Sequence, residues 1–595
     1  MDPVRCLLPW PSSTFLAKDA ATATGVRVAL DPKNFTGRDD PSSINRSDGF
    51  SRVTPLVTAF ASKLAPLPVS VGAGLPVRLY LAQPNHPRYG EEVPLRIRVD
   101  EGEDEVGGTE SFVFAYPLHP LEAGADYVAV VLDDLQADGG AALTANKPAK
   151  LAVGLAEPAS HEEAVLAAYH APTRSLLKKA GVDPAHVLRV WDFTTRSAND
   201  ATRRLTAMRE GVIAAATQKT AGVAVDSVEV PAAGPIAAIV EGRLTGLPSY
   251  VAEAGLTLDA QGLPVPSGTR DAPFRVIIPV GTGDYRFVMY GHGTGGNFHD
   301  TTFDTEIATL GVGKIGIQLD GWTDKEILGT LVAFAHMFQG TEHSTALLMQ
   351  GIADGAGIEA SAAGPLGAAL GAPMLGDKPN PAAGRHPDDS IPIWAGGSLG
   401  GTIGLVYVSA SPGVRHGVLN VPGAGWTHFI PGSSVFGMLA PLLQGSFGGP
   451  VDLAHALATG QNNWDDIDGA VWAADLADKK QVFLIQESIG DPVLTNPGSE
   501  LTAVTTGAVQ VGAVLVPING VKSVTEAKDQ SGITQFHVTG TEPLDIHGFA
   551  ARDTPAGTAA RDQISKFVQS VWAGAPVIEV PAGCKGGSCD FTGSP

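Results

Sequence analysis

The chain has 595 residues, 44% hydrophobic and 17% charged, so it buries a large core and is not a disordered segment. Asp plus Glu number 62 against 40 Lys plus Arg, a formal charge of -22, which repels phosphate backbones and excludes nucleic acid as the main partner. No apolar run reaches about 18 residues, so no membrane-spanning helix is expected, and the 72 glycines and 44 prolines point to many turns.

The N-terminal MDPVRCLLPWPSSTF lacks a basic stretch followed by a long apolar core, so it is not a signal peptide. Either the protein is cytosolic or Met1 replaces a removed signal. Residues 1–150 form an N-terminal extension that begins extended, rich in Pro, Asp and Ser. From 67 to 133 come the short runs Val77–Leu81, Val93–Val99, Ser111–Tyr116 and Asp126–Leu132. Turn residues separate them at the interval of a small β-sandwich. The segment HPLEAGADYVAVVLDDLQADGG resembles the late strands of bacterial immunoglobulin-like modules.

Residues 151–227 read as a helical connector. HEEAVLAAYHAPTRSLLKKA, 161–180, has apolar residues at helical spacing, acids first and lysines last, as the helix dipole favours. A second helix is expected over Asn199–Ala216, with the β-rich RVWDFTTRS between them. From 228 to 575 the pattern becomes strand–turn–helix. Strands are expected at Ile236–Arg243, Phe274–Pro279, Arg286–Tyr290, Lys314–Leu319, Ile391–Ala395, Gly417–Val421, Gln481–Gln486 and Thr534–Val538. Several are apolar throughout, as in strands buried on both faces of a parallel sheet. The expected fold class is α/β, one eight-stranded, mostly parallel sheet after a small all-β module.

Four motifs carry chemistry. IPIWAGGSLGGTIGLVYVSA holds the only G-x-S-x-G run, Gly396 to Gly400 around Ser398. An apolar strand ends before it and a small-residue helix follows. A strand-to-helix elbow needs glycines two before and two after the serine, where a Cβ would clash, and it leaves the hydroxyl exposed. Upstream, Tyr290-Gly291-His292-Gly293-Thr294-Gly295-Gly296 follows a strand. Such a loop supplies one backbone N–H to an oxyanion and the residue after the serine supplies another, so the candidates are Thr294 and Leu399. Gly291, Gly293 and Gly296 also satisfy a literal G-x-G-x-x-G, with Asp320 beyond the next strand, but NFHDTTFD is a poor helix start for a dinucleotide site. The run QVFLIQESIGDPVLTNPGSE places Asp491 just past a buried strand; Glu487 competes, and Asp465, Asp466 and Asp468 less so. ITQFHVTGTEPLDIHGFA places His547 in a loop after the last strand, with His537 inside that strand. The order Ser398, Asp491, His547 is the hydrolase chain order.

The insertion 422–478 contains GAGWTHFIPG, SSVFGMLAPLLQGSFGG and NNWDDIDGAVWAADL. It is expected to cap the serine, with Trp426, Phe429, Phe436 and Met438 as candidate substrate contacts; Trp322 is a fifth. Residues 576–595 read as a C-terminal tail. Its Cys584 and Cys589 close a short glycine-rich loop that favours a disulfide, against the alternative of three unrelated thiols; the pairing of Cys6 is open. No zinc site is expected: the tail has no His, and HEEAV at 161–165 lacks the second histidine of a zinc-protease helix.

Together the four motifs make 228–575 similar to the α/β-hydrolase superfamily. The whole chain resembles large secreted bacterial esterases and lipases with an N-terminal extension, through PWPSSTF, DGFSRVTP, VWDFTTRS and GDPVLTNPGSE. Leu494-Thr495-Asn496 departs from the family's usual G-D-x-x-V-P-N. The resemblance implies export to the medium or cell envelope, carboxylic-ester substrates (lipids or polyesters among them) and no cofactor or metal. The competing readings are a serine peptidase of the same fold, which lacks an evident acidic pair for a peptide terminus, and a non-catalytic adhesion or binding protein. The intact Ser, Asp and His argue against the latter. The acyl chain and oligomeric state are not specified.

Overall fold

A computed structural model describes residues 7–593, apart from 35–38, 69, 104–108, 219–221, 254, 448 and 477–479; Cys6 lies outside the described residues. The chain forms two compact units.

The first unit comprises residues 1–201, 335–339 and 439–463. It holds two four-stranded antiparallel sheets. One runs Leu56–Phe60, Thr109–Pro117, Leu95–Glu103, Ser70–Gly72; the other runs Val187–Thr194, Asp126–Leu132, Val77–Leu81, Glu92–Val93. Alternate residues Leu79, Leu81, Ala129 and Val131 share one core with Phe112, Phe114, Leu95 and Ile97. The opposite set, Tyr80, Val128 and Val130, packs on Leu176 and Leu177 of the helix Ala171–Lys179. The strand Asp126–Leu132 is therefore buried on both faces, which its unbroken apolar run requires.

Two sequence expectations are corrected here. Residues 151–227 are not a separate helical connector: Val187–Thr194 is an edge strand of the second sheet, and its Trp191 and Phe193 lie in the shared core. Nor is 422–478 a single cap. Its middle, 439–463, belongs to the first unit, where Val451 and Ala458 join the core around Phe112. Asn462 fixes it there, accepting from the Ser51 N–H (2.9 Å) and donating to the Gly49 carbonyl (3.0 Å).

The second unit comprises 202–334, 340–438 and 464–595. Its sheet has eleven strands: β1 Gly222–Glu229, β2 Ile236–Ser249, β3 Gly268–Pro279, β4 Tyr285–Gly291, β5 Gly313–Ile317, β6 Pro387–Gly397, β7 His416–Asn420, β8 Val482–Ser488, β9 Val509–Val511, β10 Ser523–Val524 and β11 Gly532–Phe536. The order is β1-β2-β3-β5-β4-β6-β7-β8-β11-β9-β10. From β5 to β10 every pairing is parallel; β1, β2 and β3 extend the sheet antiparallel. All eight expected strands are present. The three additional ones are two or three residues long (β9, β10) or poorly buried (β1), so they carry little apolar pattern. Because β1 starts at Gly222, the sheet begins ahead of the expected boundary at 228.

Residues 576–593 are not a loose tail. Val577–Glu579 pairs antiparallel with Glu526–Lys528. Cys584 and Cys589 are bonded, with 4.4 Å between their Cα atoms. Both sulfurs' residues pack in a cluster with Val421, Phe536 and Phe549. Among the described residues, no helix is long and apolar enough to cross a membrane.

Candidate active site

Ser398 stands between the end of β6 at Gly397 and the helix Leu399–Ala410. Its φ of 57° and ψ of -124° lie in a region that L-residues rarely occupy. The surroundings hold it there. The Ser398 N–H donates to the Asn420 carbonyl at the end of β7 (3.0 Å), and the Ser398 carbonyl accepts from the Thr402 N–H (2.9 Å). The flanking glycines are required by contact. A Cβ on Gly396 would lie 2.5 Å from the Gly400 carbonyl, and one on Gly400 only 2.0 Å from the Gly291 oxygen. All twelve residues of the helix Leu399–Ala410 are buried, whereas Ser398 itself is half-buried.

Asp491 lies three residues past β8. One carboxylate oxygen accepts from the Val493 and Leu494 N–H groups (2.8 and 3.1 Å). The other meets His547 Nδ1 at 2.6 Å. Both side chains are buried. His547 ends the short helix Pro543–His547 that follows β11, so its expected place in an open loop is corrected to a helical turn. With Nδ1 on Asp491, its Nε2 is buried and has no hydrogen-bond partner among the described residues. Ser398, Asp491 and His547 thus follow the carboxyl ends of β6, β8 and β11, parallel strands within one run of the sheet. Strand, elbow, acid and imidazole come in hydrolase order along a parallel sheet. This is an α/β-hydrolase fold.

The competing acids have other partners. Glu487 is buried, and its oxygens accept from Asn496 Nδ2 (3.0 Å) and Gln535 Nε2 (2.9 Å). Burial, with Glu500 nearby, pushes its carboxyl up to about 8. Asp466 pairs with Arg204 through both oxygens (2.6 and 3.0 Å). Asp468 accepts from the backbone of Gly425 and Trp426 (2.9 and 3.0 Å). His537 is half-buried beyond the end of β11, with Asp590 3.5 Å away.

The loop after β4 carries a feature that sequence reasoning passes over. His292 is fully buried. Its Nε2 accepts the Leu319 N–H (2.9 Å), so the ring proton sits on Nδ1 and donates to the Gly293 carbonyl at 2.7 Å. Burial pushes the His292 pKa down and keeps the ring neutral. The same carbonyl accepts from the Gly296 N–H (2.9 Å). In a planar trans peptide the next N–H points opposite the carbonyl. Two bonds on the Gly293 oxygen therefore fix the direction of the Thr294 N–H.

Thr294, Ser398 and Leu399 line one cavity of about 60 Å³ together with Trp322, Trp426, Phe429 and Phe436. The structure thus brings together every expected oxyanion and substrate contact but one. Met438 is 74% exposed and does not line the cavity. It falls on the solvent side of the helix Ser434–Phe447, whose Phe436 is turned inward.

No protein-family model matches the chain, and no curated protein matches it. Similar solved structures include acetyl xylan esterase 1 from Thermoanaerobacterium sp., 14% identical over 59% of this chain and 90% of that one, with a TM-score of 0.36. Another is an acetyl xylan esterase from Paenibacillus sp. (15%; 58% and 92%; TM-score 0.34). A third is an acylaminoacyl peptidase from Pyrococcus horikoshii (12%; 51% and 39%; TM-score 0.31). At these values no activity carries over from them.

Proposed function

We propose that the protein is a serine hydrolase of carboxylic esters. The observation that carries this reading is the buried His547–Asp491 pair at 2.6 Å, set beyond the same sheet edge as a serine in a strained elbow. In the reaction, Ser398 Oγ attacks the ester carbonyl and gives its proton to His547 Nε2. Asp491 holds the imidazole tautomer and stabilises the imidazolium. The N–H groups of Thr294 and Leu399 bind the oxyanion, the first aimed by His292. His547 then protonates the departing alcohol, and water repeats the sequence to release the acid. The apolar cavity walls favour an acyl chain over a charged peptide.

In the same reading the protein works outside the reducing cytosol, because a Cys584–Cys589 bond persists in oxidising compartments. The two-sheet arrangement of the first unit supports an immunoglobulin-like module attached to the hydrolase.

The test is hydrolysis of p-nitrophenyl esters by pure variants that retain the wild-type circular dichroism spectrum. Ser398→Ala and His547→Ala are each expected to lose activity by about 10⁴-fold or more, and Asp491→Asn by a comparable or smaller factor. Near-wild-type turnover by Ser398→Ala would end the proposal.

A further inference from the structure

Given a serine esterase at Ser398, we infer that its substrates are esters of short acyl groups, from acetyl to butyryl, and that a fixed aromatic wall sets this limit. Cavity position comes first. The cavity touches Thr294, Ser398 and Leu399 but neither His547 nor Asp491. The leaving alcohol takes its proton from His547, so it departs on the imidazole side. A group held beside the oxyanion loop and the serine, in a cavity that reaches Val493 and Leu494 of the acid loop but is not lined by the imidazole, is the acyl group.

Size comes second. The cavity measures about 60 Å³. An apolar cavity of about 150 Å³ accommodates the six carbons of benzene, so about 60 Å³ holds roughly two to three heavy atoms. The tail beyond the carbonyl reaches that size in a butyrate, so acetate, propionate and butyrate fit and longer chains do not.

The wall is built not to yield. Trp322 and Trp426 meet with ring centroids 5.3 Å apart. Behind them Trp426 stacks on Trp464 at 5.9 Å, and Trp464 meets Phe334 edge-on at 5.6 Å. Trp426 is 2% exposed. Its backbone N–H is held by Asp468 at 3.0 Å, and the same carboxylate takes the Gly425 N–H. Gly425 is left-handed, and a Cβ there would lie 2.7 Å from both His428 and Leu501. A close-packed wall of this kind does not open to admit extra methylenes without strain. Phe436, on the helix whose next two residues are exposed, closes the side nearer the surface.

The experiment measures kcat/KM of the wild-type chain on p-nitrophenyl acetate, butyrate, hexanoate, octanoate and palmitate, with Ser398→Ala as the blank. Activity is expected to peak at acetate to butyrate, to drop at least about 10-fold at hexanoate and further at octanoate. Phe436→Ala and, separately, Trp426→Leu are expected to raise the hexanoate-to-acetate ratio at least about 10-fold. The wild-type series decides the matter even if Trp426→Leu does not fold. Equal or rising kcat/KM through octanoate or palmitate, abolished in Ser398→Ala, would overturn the size limit and leave the serine esterase standing. Hydrolysis that persists in Ser398→Ala would overturn both.

Discussion

The closest contact in the elbow predicts what Gly400→Ala does. The added Cβ would stand 2.0 Å from the Gly291 oxygen, 2.7 Å from the Gly291 carbonyl carbon and 3.1 Å from the His292 oxygen. All three are backbone atoms, so no side chain can swing aside. Ordinary contact begins near 3.4 Å, so helix and loop must separate by more than 1 Å. Overpacking of this kind costs about 1–3 kcal/mol. The displaced element is the end of β4, which leads directly to Thr294. A misplacement of about 1 Å in an oxyanion donor costs roughly 10²-fold in rate. Gly397→Ala is the control: its Cβ meets nothing nearer than 3.6 Å. The assay is kcat on p-nitrophenyl acetate beside urea unfolding, for both variants. Gly400→Ala is expected to lose about 10²-fold in kcat and about 1–3 kcal/mol of stability, and Gly397→Ala much less of either. Wild-type kcat in Gly400→Ala, or equal losses in the two, would refute the steric reasoning.

Three more outcomes follow from particular residues. His292→Ala removes one of the two bonds on the Gly293 carbonyl, leaving that from the Gly296 N–H, and loosens the Thr294 N–H; kcat is expected to fall by up to about 10²-fold with KM little changed, because in the proposed mechanism that donor acts on the transition state, and a pure KM effect would contradict this. Buried Glu359, whose oxygen accepts from Tyr407 at 2.7 Å, is pushed up to about 7 by desolvation. The folded chain then keeps a proton between about pH 4.5 and 7 that the unfolded chain releases, so stability falls as pH rises through that window, by at most ~3 kcal/mol. Glu359→Gln keeps an acceptor for Tyr407 and is expected to flatten that slope in urea melts at pH 5 and pH 8; an unchanged slope would rule Glu359 out as its source. Unreduced digests are expected to yield Cys584 and Cys589 in one linked species by mass spectrometry, and finding both alkylated without reduction would count against export.

The elbow, the acid and the histidine were legible because each is written in local sequence: a glycine pair that sterics demand, an acid directly after an apolar strand, and a histidine after the last one. The eight main strands were legible for the same reason, since burial on both faces leaves an apolar run. What was not legible is which partner an apolar segment meets. Leu439–Asn463 reads as hydrophobic whether it covers a serine or completes a β-sheet core, and it does the latter. Met438 departs from its expected place in the cavity because the helix Ser434–Phe447 is apolar around most of its circumference. Composition there does not reveal that Phe436 faces in while Met438 and Leu442, 74% and 69% exposed, face out. The part played by His292 is not legible in the sequence, because it depends on a carbonyl beside it and an N–H 27 residues away, neither of which leaves a side-chain signature.

The account rests on Ser398 as the nucleophile, and a fluorophosphonate tests that atom directly. The wild-type chain, treated with the probe and read by intact mass and peptide mapping, is expected to take up one phosphonyl group on Ser398. Labelling should vanish in Ser398→Ala and slow by orders of magnitude in His547→Ala. An adduct on another serine, or full labelling of Ser398→Ala, would contradict the account.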